Sequence, residues 1–130
     1  MFSEQESEVW RTVQAFNDAF AANDPEKYFS FVDDDITVIL PNCPYRIDGK
    51  TNDRMEFEYC LAKGWTKVGF FHEMQPKIQL FGDIAVVQYY SRGAYGDGQN
   101  ERQKFYKETN ILVKRGRDWK VIHVHLSVTV

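Results

Sequence analysis

Near its end the chain reads Trp119-Lys120-Val121-Ile122-His123-Val124-His125-Leu126-Ser127, and this stretch most limits what the chain can fold into. Alternate side chains of a strand point to opposite faces. Trp119, Val121, His123, His125 and Ser127 therefore share one parity, and Ile122, Val124 and Leu126 the other. Both sets hold bulky side chains that need cover, which predicts a strand inside a packed sheet.

The residues ahead of it supply that sheet. From Trp65 onward the pattern predicts long strands over about 66–81, 84–95, 103–114 and 118–128. Turns fall at Gly82-Asp83 and near Gly116, and a loop at Gly96-Asp97-Gly98. Consecutive hairpins of this kind form an antiparallel meander. Upstream, Val9, Val13, Phe16 and Phe20 recur at helical steps and predict a first helix from about Ser3 to Ala22. Asp24-Pro25-Glu26 reads as a cap and first turn, opening a short helix through Tyr28, Phe31 and Val32. The Asp33-Asp34-Asp35 run is expected to end that helix, since no calcium-loop spacing follows it. Ile36 to Leu40 reads as a strand stopped by Pro41. After Asp48-Gly49, Thr51 is expected to cap a third helix that turns Met55, Tyr59 and Ala62 inward and ends at Gly64. Three helices followed by four long strands make an α+β layout, with the helices on one face of the sheet.

At 130 residues, with 43% hydrophobic and 15% aromatic side chains, residues 1–130 fit one domain with a substantial core. The formal charge of −3 is spread without a basic stripe, which argues against nucleic acid. No apolar run reaches the roughly 18 residues that a membrane span needs. Cys43 and Cys60 lack metal or redox spacing, and the opening Met1-Phe2-Ser3-Glu4-Gln5-Glu6 is acidic, unlike a signal peptide. The expected setting is the reducing cytoplasm, and no motif calls for a cofactor.

Glu108-Thr109, a hairpin, then Trp-x-x-Val/Ile-His-x-His-x-Ser resembles the SnoaL-like and kinase-association branches of the nuclear transport factor 2-like superfamily. Pro76-Lys77-Ile78-Gln79-Leu80-Phe81-Gly82-Asp83 and Tyr90-Ser91-Arg92 resemble the association domain of calcium/calmodulin-dependent protein kinase II. The resemblance implies a cone-shaped, cystatin-like fold with three helices packed on a curved antiparallel sheet. It also implies a pocket: in that family the arginine of Tyr-x-Arg, the residue after Glu-Thr and the residue after the second histidine form a basic site for small anions. The matching residues here are Arg92, Asn110 and Leu126, so one arginine of three remains. Tyr90, Arg92, Tyr106, Glu108, Asn110, Leu112, Val124 and Leu126 are then expected on the concave side, with Phe16, Phe20 and Leu40 as apolar walls. Arg92 is expected to pair with Glu108, because a buried arginine without a partner is costly. A pocket so neutralised favours a neutral, partly aromatic molecule over a carboxylate.

The superfamily also contains ketosteroid isomerase, whose tyrosine donor and aspartate base fall at Phe16 and Leu40. Neither side chain transfers a proton, so that mechanism is excluded. An isomerase, dehydratase or hydrolase of another kind would draw on Glu108 or His72 as base, or on Asp48 or Tyr90. His123 and His125 lie two apart on one strand, but nothing near them in sequence completes a metal site, and a structural role is expected. Strands 84–92 and 105–113 are apolar on both parities while helices cover one face. An outer patch of Val87, Tyr89, Ile111, His123 and His125 is therefore expected to bury itself in a homodimer. Three readings stand: a small-molecule-binding domain, an enzyme, and an oligomerisation module built like the kinase association domain.

Overall fold

A computed structural model describes residues 1–64, 68–96 and 102–129 of the chain. Its elements run α1 (Glu4–Ala21), α2 (Pro25–Ser30), β1 (Val32–Ile39), β2 (Ile47–Asp48), α3 (Lys50–Ala62), β3 (Val68–Phe81), β4 (Ile84–Tyr95), β5 (Arg102–Arg115) and β6 (Asp118–Val128). The strands form one sheet in the order β2-β1-β6-β5-β4-β3. Strands β3 to β6 are the antiparallel meander expected from the sequence. β1 joins it by pairing parallel with β6, and β2 folds back antiparallel on β1. The result is the α+β cone, three helices on a curved, mostly antiparallel sheet that does not close. The expected loop at Gly96-Asp97-Gly98 lies outside the described residues from 97 on, as does the expected strand start at 66.

Local chemistry fixes the helix ends. Ser3 Oγ accepts from the Glu6 amide at 3.1 Å while Glu6 Oε1 accepts from the Ser3 amide at 2.8 Å, a reciprocal capping box. Asp24 accepts from the Lys27 amide at 3.1 Å ahead of Pro25, capping α2. Val9, Val13 and Phe16 are buried as their spacing predicts. α3 departs from expectation. Gly49, at φ +87°, occupies the cap position without a side-chain bond, so Thr51 is not the cap. Met55 and Tyr59 are exposed, and the inner stripe is Asp53, Phe57 and Cys60. Both stripes have steps of four and three; the one that turns inward begins with an acid.

Two further differences lie in β1 and β6. The Asp33-Asp34-Asp35 run stands in β1, where pairing with β6 is irregular between Val32 and Thr37. Arg115 Nε donates to Asp33 Oδ1 at 3.0 Å, tying this acidic stretch to the last hairpin. In β6 the register shifts between Ile111 and Leu112 of its partner, leaving Ile122 as an extra residue. A bulge of this kind resets the alternation. Trp119 and Val121 thereby join Val124 in the core, while His123 and His125 stay on the outer face.

β4 pairs with β5 without a break from Ile84 to Tyr95. Ala85, Val87, Tyr89 and Ser91 are buried under the helices, and Gln88, Tyr90 and Arg92 are exposed on the other side. The expected phase of this strand is therefore reversed: Val87 and Tyr89 are core residues, not part of an outer patch. Among the described residues no helix is long and apolar enough to cross a membrane.

Candidate functional site

The cone encloses a cavity of about 160 Å³ between the helices and the sheet. α1 contributes Phe16, Asn17 and Phe20, α2 Tyr28, and α3 Asp53, Glu56, Phe57 and Cys60. The sheet side is Phe71, Tyr95, Tyr106, Glu108, Val124 and Leu126, with Leu40 following β1. Exposed Pro41, Asn42 and Lys104 mark its mouth. The aromatic part is continuous: Phe16 stacks on Tyr28 at 4.3 Å, Tyr28 lies 4.9 Å from Phe57, and Phe20 meets Phe57, Phe71 and Tyr95 at 6.1–6.3 Å. Gly93 makes room for this wall, since a Cβ there would stand 2.8 Å from the Tyr95 ring.

A polar network backs the cavity. The Tyr89 hydroxyl donates to Glu108 Oε1 at 3.0 Å and accepts from Asn110 Nδ2 at 3.2 Å and Asn17 Nδ2 at 3.1 Å. The same Asn17 amide donates to Glu73 Oε2 at 3.0 Å. Glu108 Oε2, Asn110 Oδ1 and, across the cavity on α3, Asp53 Oδ2 are buried without a hydrogen-bond partner. Burial pushes the Glu108 carboxyl up to about 7, with Glu73 adding to the rise and the Ser91 and Tyr89 hydroxyls opposing it. Burial, then the neighbouring Glu56 charge, pushes Asp53 to about 7 as well. Both carboxyls bear on the Tyr28 phenol, which desolvation and their two charges raise. Desolvation, followed by Glu56, lifts the Cys60 thiol to about 11, so it is no ready nucleophile.

Of the residues expected at the site, Phe16, Leu40, Glu108 and Leu126 line the cavity, and Asn110 lies behind it in the Tyr89 network. Tyr90 and Arg92 do not face it. Tyr90 stands 47% exposed on the outer face, and Arg92 lies over the Phe70 ring at 5.6 Å beside His72 and Phe105. The expected Arg92–Glu108 pair is absent because the two strands put those side chains on opposite faces. His72 is on the outer face too, and exposed Asp48 binds Arg46 at 2.6 Å. Of the four acid–base candidates, Glu108 alone faces the cavity. Sequence reasoning missed Asp53, Asn17, Tyr28 and Tyr89. The signal for Asp53 was its spacing to Phe57 and Cys60.

A second, larger groove of about 560 Å³ opens at the start of α3, lined by Asp34, Asp48, Met55, Glu58 and neighbours. Its walls are mostly exposed and hold no buried orphan group, so the inner cavity is the better candidate.

Residues 5–130 match the family model of the calcium/calmodulin dependent protein kinase II association domain. The chain belongs to this association-domain family. No curated protein matches it. Among solved structures, this association-domain chain is similar to the S. rosetta CaMKII hub, with a TM-score of 0.83 at 21% identity over 99% of this chain and 100% of that one. An NTF2-like protein of unknown function from Pseudomonas putida gives 0.84 at 24% identity, covering 98% and 88%. A putative dehydratase of the NTF2-like family from Streptomyces avermitilis gives 0.84 at 18%, covering 95% of each. At such identities the likeness is one of fold, and it matches the nuclear transport factor 2-like cone expected from the sequence.

Proposed function

We propose that this association-domain member is one domain whose inner cavity binds a small, partly aromatic, non-anionic molecule, and that it self-associates through the outer face of its sheet. The observation that carries the binding reading is Glu108. It is buried in the wall of a largely aromatic cavity with one carboxyl oxygen tied to Tyr89 and the other unpartnered. Few polar groups in an otherwise aromatic cavity are the usual composition of a ligand site. The volume is on the scale of the ~150 Å³ apolar cavity that accepts benzene. Asp53, Glu56 and Glu108 among the lining residues weigh against an anion. No hydrogen bond joins Asp53 to Glu108 among the described residues, so a concerted acid–base pair has less support than simple binding.

Self-association is supported by the family and by the uncovered side of the sheet. Ile39, Met74, Tyr90 and Phe105 are exposed, and the same face carries His123, whose Nδ1 bonds Thr37 Oγ1 at 2.8 Å. A twofold dimer is the simplest closed assembly that buries this face. The free thiols Cys43 and Cys60 support a cytoplasmic setting. The binding reading is tested by titrating millimolar benzyl alcohol while recording amide resonances. Shifts at Phe57, Glu108 and Leu126 that spare Gln79 and Val86 support it, and an unchanged spectrum refutes it.

A further inference from the structure

Two of the acids that line the cavity each keep one carboxyl oxygen without a hydrogen bond. Asp53 lines the cavity from the helical layer and Glu108 from the sheet, Asp53 Oδ2 and Glu108 Oε2 are buried without a partner, and each residue is only 7% exposed. Glu56 adds a third carboxylate to the lining, and Lys104, the one cation among the described lining residues, sits out at the mouth. The same cavity is lined by aromatic side chains, Phe20, Tyr28 and Phe57 among them, whose ring faces attract positive charge. The two orphan carboxyl oxygens call for hydrogen-bond donors, and the acidic lining favours positive charge. A hydroxyl supplies one donor and no charge, whereas an ammonium supplies three donors and the charge. Among the described residues no three His, Cys, Asp or Glu side chains gather to hold a metal ion, so the cation that fits is organic.

We propose that the cavity takes a small primary ammonium of about the size of benzylamine, with its nitrogen between Asp53 and Glu108 and its apolar end against the aromatic rings. This names the ligand class of the site and rests on the binding reading above. Calorimetric titration of the full chain with benzylamine, benzyl alcohol and benzoate at neutral pH tests it. The amine binds about tenfold tighter than the alcohol or better, and benzoate binds most weakly. In Asp53→Asn or Glu108→Gln the amine-to-alcohol ratio falls to within about threefold, on folds checked by circular dichroism. The three-ligand comparison on the unaltered protein decides the matter even where a variant does not fold. Equal affinity for amine and alcohol overturns the ammonium assignment and leaves the binding reading intact. Binding of none of the three overturns both, and tightest binding of benzoate overturns the charge argument on which both depend.

Discussion

Tyr89 and Glu108 face each other across β4 and β5, and the phenol hydroxyl donates to the carboxylate at 3.0 Å inside the core. The same oxygen accepts from Asn110 and Asn17, so one β4 hydroxyl satisfies one side chain of α1 and two of β5. Tyr89→Phe removes it and strands Glu108 Oε1 and the Asn110 amide, while Asn17 keeps its bond to Glu73. Each such group costs about 1–3 kcal/mol when left unmet, and relaxation of the two amides shares part of the loss. We expect a net destabilisation of about 2–4 kcal/mol in urea unfolding. Tyr90→Phe, one residue on and exposed, should change stability by less than about 0.5 kcal/mol.

The buried carboxyls make stability fall as pH rises through the weakly acidic range. Glu108 and Asp53 titrate near 7 in the folded chain, above the usual carboxyl range of the unfolded chain. Between those limits the folded state holds more protons than the unfolded state, so raising pH favours unfolding. The stabilisation is complete below the unfolded value, is lost through about pH 7, and does not change further above it. Each group is expected to contribute roughly 3–4 kcal/mol to the decline. His123, held low by burial and by His125, acts in the opposite sense, adding stability above its unfolded range that is lost on acidification. Comparing wild type with Glu108→Gln from about pH 5 to 8 isolates the carboxyl. The wild-type urea midpoint should fall with pH more steeply than the variant's, and parallel curves would show that Glu108 ionises normally.

How much of this was legible in the sequence divides along a physical line. Hydrophobic periodicity found α1 and the four-strand meander because long amphipathic elements repeat the signal many times. The same rule misjudged α3, where Asp53 takes the inward position that apolar Met55 was expected to fill. It misjudged β6 because the extra residue Ile122 resets the alternation, and single-residue bulges leave no mark in a period-two pattern. β4 had a local cue: Gln88 and Arg92 share the parity of Tyr90, whereas Ala85, Val87 and Tyr89 make the more apolar set. Glu108 was found through its Glu-Thr context. Its partner Tyr89 was missed because that bond depends on the strand phase, which the β4 cue gives and the Tyr-x-Arg resemblance reverses.

Self-association has a direct measurement. Sedimentation equilibrium at micromolar concentration should return at least a dimer, and a monomer at all concentrations would remove the proposal. Phe105→Lys, on the exposed face and away from the cavity, places a charge in the proposed contact. It should weaken association by about 2 kcal/mol, roughly thirtyfold, without altering the far-ultraviolet spectrum.

Arg92 supplies the sharpest separation between the inherited pattern and this chain. Had it faced the cavity, as its Tyr-x-Arg context implies, it would attract a carboxylate and Glu108 would neutralise it. Instead it is exposed opposite Phe105, with its guanidinium over the Phe70 ring. A charge on the far side of the sheet, in contact with water, exerts little force on a ligand in the cavity, because solvent screens it. Arg92→Ala should therefore leave the affinities for benzyl alcohol and benzoate within about twofold of wild type, a change under about 0.5 kcal/mol. Its effect should instead appear in self-association, since His72, Tyr90 and Phe105 share its face. Loss of benzoate binding in this variant, with benzyl alcohol unaffected, would mean that Arg92 reaches the ligand and that the strand is phased the other way.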